Sequence, residues 1–172
     1  MSFLPVPDAM RNDIYELAPQ HFTERGIRFI LLDIDNTVAP YTCGEATEPM
    51  KAWVRSMKAA GLELFILSNN RGERPERFAA ALELPYRKKA WKPFPKAAKA
   101  VMAERGYAPG ETAFIGDQIY TDTACAKCCG AFAVTVRPIE FNRFVLRLRY
   151  WLEFPFRLLY KRKQKRSKKK SR

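Results

Sequence analysis

Asp33 and Asp35 stand one residue apart in the run Asp33-Ile34-Asp35-Asn36-Thr37, directly after the apolar stretch Ile27–Leu32. In extended backbone, residues i and i+2 share a face, so the two carboxylates would sit side by side. Like charges at that spacing move apart in proton affinity or recruit a cation. A lone D-x-D is more often a capping residue beside a solvated one. Two further polar clusters change its weight. Ser68-Asn69-Asn70 follows the apolar run Leu62–Leu67, and Gly116-Asp117-Gln118 follows Thr112–Ile115. Asp117 adds a third carboxylate. Several oxygen donors with no histidine suit a hard cation such as Mg2+. With a metal offsetting phosphate charge, one aspartate could act as nucleophile and the other as general acid and base. Ser68 and Asn69 could donate to phosphate oxygens, with Lys92 as a nearby cation.

These clusters need elements to bring them together. Ile27–Leu32, Leu62–Leu67, Leu84–Lys88, Thr112–Ile115 and Ala131–Val136 have the length and apolar content of buried strands. Helices are expected between them at Thr47–Ala60, Pro75–Leu82, Pro95–Arg105 and Thr121–Cys129, three of them ending at Gly61, Gly106 and Gly130. A short helix is expected around Asp8–Leu17. Strands alternating with helices imply βαβ units and a doubly wound parallel sheet. Ligands of such sheets bind beyond the carboxyl ends of the strands, where the three polar clusters lie. At 172 residues, 47% hydrophobic and 28% charged, the chain is one globular domain by size. That excludes collagen, a disulfide miniprotein and whole-chain disorder.

The set Asp33-Ile34-Asp35-Asn36-Thr37, Ser68-Asn69, Lys92-Pro93 and Gly116-Asp117-Gln118-Ile119-Tyr120-Thr121-Asp122 resembles the haloacid dehalogenase superfamily of phosphohydrolases over residues 27–136. Its wording is similar to the YqeG-like branch, which includes phosphatases that convert phosphatidylglycerophosphate to phosphatidylglycerol. The resemblance implies a Rossmannoid three-layer α/β sandwich with a mainly parallel sheet. It implies Asp33 as the nucleophile that forms an aspartyl-phosphate and Asp35 as the acid and base. Superfamily ATPases lack a carboxylate at the Asp35 position, so phosphatase or phosphomutase chemistry is implied. Ser68 would bind the transferring phosphoryl group, Asn69 would help position it, and Lys92 would stabilise its charge. Mg2+ would be held by Asp33, Asp117 and the backbone carbonyl of Asp35, with Thr37 and Asp122 supporting. Only 32 residues separate Asp35 from Ser68 and 22 separate Asn69 from Lys92, too few for a large cap domain. An open site suits a phosphate on something larger, such as a lipid headgroup.

The charge is uneven. Residues 137–172 hold 14 Lys/Arg against 2 Asp/Glu, a net +12 of the chain's +13. A basic end implies an anionic partner. Within Phe141–Tyr160, an apolar arc of Phe141, Phe144, Val145, Leu148, Trp151, Leu152, Phe156, Leu158 and Leu159 opposes Asn142, Arg143, Arg147, Arg149, Glu153 and Arg157 at helical spacing. Pro155 should kink this helix. Residues 161–172, with nine basic residues, are expected as a disordered tail. Apolar face, arginine face and polybasic end together fit an interfacial helix on an anionic membrane. The alternatives are a helix packed by its apolar face on the sheet, or a nucleic-acid contact.

The organisation expected is thus a phosphatase core over 1–136, an amphipathic segment over 137–160 and a tail. No apolar run reaches the length of a membrane span and no leader is evident, so the expected location is cytoplasmic, at the inner membrane face. The activity expected is hydrolysis of phosphatidylglycerophosphate. A phosphatase of soluble nucleotide or sugar phosphates, and a basic adaptor on the same fold, are the alternatives. Cys43, Cys125, Cys128, Cys129 and the single His21 are read as structural rather than zinc-binding or redox-active.

Overall fold

The computed structural model describes residues 4–142 and 144–170. Six strands form one sheet: β1 (Ala9–Arg11), β2 (Phe29–Leu32), β3 (Glu63–Leu67), β4 (Tyr86–Arg87), β5 (Thr112–Gly116) and β6 (Phe132–Val136). The helices are α1 (Gln20–Thr23), α2 (Glu48–Ala59), α3 (Arg74–Leu82), α4 (Lys96–Arg105), α5 (Ala124–Cys129), α6 (Phe144–Leu152) and α7 (Phe154–Lys170). The strand order is β1-β6-β5-β2-β3-β4 and every pairing is parallel.

The central strand shows why. All four residues of β2 are buried. Ile30 and Leu32 point to one face, where Trp53 and Met57 of α2 and Phe78 and Leu82 of α3 cover them. Phe29 and Leu31 point to the other, against Val101 and Met102 of α4 and Cys125 and Cys129 of α5. A strand apolar on both faces requires helices on both sides, and the result is a three-layer sandwich. The intervals that could have carried a cap are used up by α2 with β3 and by α3 with β4. The chain order reverses at β2, which has β3 on one side and β5 on the other. That crevice is where open α/β sheets bind ligands.

Three local expectations are corrected. The segment expected as a helix around Asp8–Leu17 holds β1 and a single tight turn, Ile14–Glu16. Asp8 decides this. Its N–H donates to Ala133 O at 2.8 Å, and its carboxylate accepts from Ala133 N at 2.9 Å and pairs with Lys127 at 2.5 Å. Edge pairing with β6 overrides local preference. The helix expected from Thr121 begins instead with a wide π-type turn, Ile119–Thr123, before α5. The basic run expected as a disordered tail continues α7 to Lys170. Unbranched Lys, Arg and Gln are good helix formers. Ser171 and Arg172 lie outside the described residues.

The chain breaks between α6 and α7 at Glu153, two residues before Pro155. Here the polar side, not the apolar side, faces the body, which sets aside the alternative of a helix packed on the sheet by its apolar face. Glu153 and Arg157, from the polar side, are 1% and 5% exposed, while Phe144 and Trp151 are 77% and 71% exposed. Val145, Leu148, Leu152, Phe154, Leu158 and Leu159 are exposed with them. Among the described residues, no helix is long and apolar enough to cross a membrane.

Candidate active site

A cleft of about 290 Å³ opens beyond the ends of β2, β3 and β5, lined by Asp33, Asp35, Ser68, Asn69, Lys92 and Asp122, with Tyr41, Asn70 and Arg149. The sequence clusters therefore converge. Asp33 leaves β2 still tied to the sheet, its N–H donating to Ile115 O at 2.9 Å. The chain then turns through Asn36 at φ 66°, a left-handed position that asparagine tolerates. Asn36 is clamped from behind: its Nδ2 donates to Glu140 O at 3.0 Å and its Oδ1 accepts from Glu140 N at 2.7 Å. Thr37 Oγ1 lies 3.2 Å from Asp33 Oδ2 and 3.3 Å from Asp117 Oδ1, bridging two strand ends.

Lys92 is buried, and its ammonium contacts Asp33 Oδ1 at 2.5 Å, Asp122 Oδ1 at 2.8 Å and Leu67 O at 2.9 Å. Asn69 faces the Lys92 backbone. Its Oδ1 accepts from Lys92 N at 2.7 Å and its Nδ2 donates to Lys92 O at 2.9 Å. It grips the lysine backbone while lining the cleft. Ser68 Oγ accepts from Asn70 N at 3.1 Å, and its own proton remains to be given. Asp122 Oδ2 accepts from Gln118 N at 3.1 Å. Asp122 comes so close to β5 that a Cβ on Gly116 would lie 2.3 Å from its Cγ. Glycine is required there.

Burial and crowding set the electrostatics. Burial pushes the Asp33 carboxyl up to about 7; Asp122 and Asp35 add to this and Lys92 opposes it. Burial, then Asp122, Asp33 and Glu153, hold Asp117 well above the usual carboxylate range. For Lys92, burial pulls downward, but Asp122 and Asp33 outweigh it and leave the amine above its ordinary value. Asp33, Asp117 and Asp122 bring carboxylate oxygens within 4.8 Å of one another, all buried. Three buried carboxylates against one ammonium leave negative charge uncompensated. An all-oxygen set of this kind fits a hard divalent cation. Asp122 turns one oxygen to Lys92 and the other to Gln118 N, whereas Asp33 Oδ2 and Asp117 Oδ1 each face the neutral Thr37 hydroxyl, which leaves those two oxygens as the ones with capacity for an ion.

Several functional neighbours were not expected. Arg74 Nε pairs with Asp35 Oδ1 at 2.6 Å, and Asn70 Nδ2 donates to Asp35 Oδ2 at 3.0 Å. The rest of the Arg74 guanidinium donates to Pro40 O and Cys43 O, so Arg74, at the start of α3, fixes Asp35. From the C-terminal segment, Arg149 enters the cleft wall, Glu153 Oε1 accepts from Ile119 N at 2.7 Å, and Arg157 lies 3.4 Å from Asp117 O. The cue available was weak: a lone Glu amid Arg-rich sequence. All four cysteines are free thiols. Cys125 Sγ lies against Phe94 O and Cys129 Sγ against Pro95 O.

A sequence model of the haloacid dehalogenase-like hydrolases matches residues 6–130. The chain is 30% identical over 150 residues to the "Probable phosphatase YqeG" of Bacillus subtilis (strain 168), spanning 83% of this chain and 87% of that protein. Among solved structures, it is similar to the cobalt-bound deoxy-D-mannose-octulosonate 8-phosphate phosphatase YrbI of Haemophilus influenzae. That match has a TM-score of 0.54 and 20% identity over 67% of this chain and 72% of that one. It is also similar to the 3-deoxy-D-manno-octulosonate 8-phosphate phosphatase of Moraxella catarrhalis, solved with magnesium, phosphate and KDO. There the TM-score is 0.53 with 15% identity over 70% and 75% of the two chains. At such identities the structural matches bear on fold alone.

Proposed function

The chain belongs to the haloacid dehalogenase-like hydrolase family, and from that premise we propose that it is a Mg2+-dependent phosphatase of a membrane phospholipid, phosphatidylglycerophosphate. The chemistry assigned to the site is nucleophilic displacement at phosphorus. An Asp33 carboxylate oxygen attacks the phosphorus. The bond to the leaving alkoxide breaks, and Asp35 gives that oxygen its proton. Water then attacks the aspartyl-phosphate, Asp35 takes a proton from it, and the Asp33–phosphorus bond breaks to release inorganic phosphate. Ser68 donates to the transferring phosphoryl group, and Lys92 holds Asp33 in line while offsetting negative charge. Asp33, Asp117 and the Asp35 carbonyl would hold the metal, which would supply charge neutralisation of the phosphate. To donate a proton, Asp35 must exchange its contact with Arg74 for one with the leaving oxygen.

The observation that carries the lipid substrate is the outward-facing apolar side of the C-terminal helix pair. The helices that wall the cleft with Arg149 turn their apolar side outward, Phe144 and Trp151 being more than two-thirds exposed. An exposed apolar stripe of this extent marks an interaction surface. The stripe continues through Leu159 into an open groove of about 600 Å³ lined by Leu4, Val6, Lys127, Arg162, Lys163 and Arg166. Aliphatic surface beside clustered cations is complementary to an anionic lipid interface. Exposed Trp91 and Phe94 flank Lys92 in the chain and add aromatic surface at the site.

The test is Mg2+-dependent phosphate release from phosphatidylglycerophosphate in mixed micelles, with Asp33→Asn alongside. Release that vanishes in the variant is expected. Turnover of an aryl phosphate without the lipid would overturn the lipid assignment. Inactivity on both, in folded protein with Mg2+, would overturn the phosphatase.

A further inference from the structure

Arg149 reaches the cleft because α6 lies across the loop that follows β5. Its guanidinium donates to Gln118 Oε1 at 2.6 Å, one residue after Asp117. Together with Tyr41 it lines the cleft. The position lies beyond residues 6–130, the part of the chain matched to the family, so the family's chemistry does not call for it.

Its charge is the point of interest. Lys92 is met by Asp33 and Asp122, and Arg74 by Asp35 and two carbonyls. Arg149 donates instead to an uncharged amide. Among the described residues lining the cleft, it is the cation with no carboxylate within ion-pair distance. Its field is felt inside: the Tyr41 hydroxyl is driven up by burial and by Asp117, Asp33 and Asp35, and Arg149 pulls it back. A single phosphomonoester is already provided for by Lys92, Ser68 and the Mg2+ that Asp33 and Asp117 would hold. A half-buried guanidinium with donors to spare is one anion receptor more than that reaction needs, and its planar fork matches two oxygens of a phosphate.

We propose that Arg149 is a specificity residue that binds a second anionic group of the substrate, a phosphodiester lying next to the phosphomonoester that is hydrolysed. This rests on the phospholipid reading above and extends it to the headgroup. The C-terminal helices then do two things at once: one side meets the lipid surface and the other reads the headgroup presented from it.

The experiment uses the full chain with Mg2+ and substrates that separate charge from lipid. One is glycerophosphoglycerophosphate, the headgroup without acyl chains, carrying both phosphates. Another is glycerol phosphate, carrying the monoester alone. The third is phosphatidylglycerophosphate in micelles. The wild-type protein is expected to prefer the two-phosphate headgroup over glycerol phosphate in kcat/KM. Arg149→Ala should cut that preference by about 10- to 100-fold, the range for a lost charged hydrogen bond, mainly through KM for the headgroup. Arg149→Lys keeps the charge without the fork and should recover part of it. If Arg149→Ala slows both soluble substrates by the same factor, Arg149 only steadies Gln118 and the proposal falls. If the preference survives in the variant, the proposal falls while the lipid reading stands. If wild-type protein hydrolyses glycerol phosphate but neither the headgroup nor the lipid, the lipid reading falls and takes this proposal with it.

Discussion

Asp33 carries the conflict on which the site is built. A nucleophilic carboxylate must be ionised, yet burial, opposed by Lys92 and aided by Asp122 and Asp35, pushes its carboxyl up to about 7. The sign of the stability effect follows. The folded value lies above the roughly 3.9 of an unfolded aspartate, so the folded protein binds the extra proton between those two limits. The associated stability is complete below about pH 4 and lost as pH rises through 7. Asp117 and Glu153, also shifted upward by burial, add in the same direction. In EDTA, the melting temperature should therefore fall as pH goes from about 4 to 8. Mg2+ binds the ionised carboxylates, so it should raise Tm more at pH 8 than at pH 5. Asp33→Asn should flatten the metal-free profile. A metal-free profile already flat in wild-type protein, with no response to Mg2+, would refute this account of the site.

Elements place the residues, and the junction of α6 with α7 has the largest unforeseen part in this. Glu153 takes the Ile119 N–H and holds Arg157 at 3.0 Å, while Arg157 reaches Asp117 O. A second tie runs from Tyr120 Oη to Leu152 O at 3.0 Å. The loop bearing Asp117 is thus fastened from outside the sheet. Glu153→Ala removes an acceptor and strands a buried arginine, a change that costs about 3–5 kcal/mol. Calorimetry should show that loss, with weaker Mg2+ binding in titration. Glu153→Leu combined with Arg157→Met should return much of the stability, since apolar pairs often replace buried ion pairs well. It should not return the Mg2+ affinity, because the loop stays untied. Recovery of both together would reduce the pair to packing. This junction also shows where the sequence could be read. Asp33, Asp35, Ser68 and Asp117 were legible because each stands at the end of an apolar run, and the strand order does the rest. Lys92 was found by its motif. Arg74, Arg149 and Glu153 were not, because their partners lie 31 to 39 residues away and helical periodicity sorts residues by polarity, not by which side meets the body. The strand β1 was missed for a related reason: its stabilising contacts belong to β6.

At the scale of the whole molecule, the question is what covers the apolar stripe. The sheet does not, since Glu153 and Arg157 occupy the side that faces it. The flanking charge favours an anionic surface. Residues 161–166 contribute five cations on exposed helix, each worth about 1 kcal/mol near an anionic bilayer. The apolar side chains contribute in a different way, because immersion of Phe144, Leu148 and Trp151 does not depend on salt, whereas the cations are screened over about 8 Å at physiological ionic strength. The two contributions can therefore be separated. The full chain should co-sediment with vesicles rich in phosphatidylglycerol, and binding should weaken but persist as salt is raised. Replacing Phe144, Leu148 and Trp151 together by serine should weaken binding at least about tenfold and make the remainder fully salt-sensitive. These positions are exposed, so the melting temperature should hold and show that the fold is intact. If the triple variant binds vesicles as wild type does, the stripe is not a lipid face. If wild-type protein ignores vesicles but self-associates, and the variant is monomeric, the stripe pairs two copies of the chain. The cleft would then be presented to its substrate without a membrane.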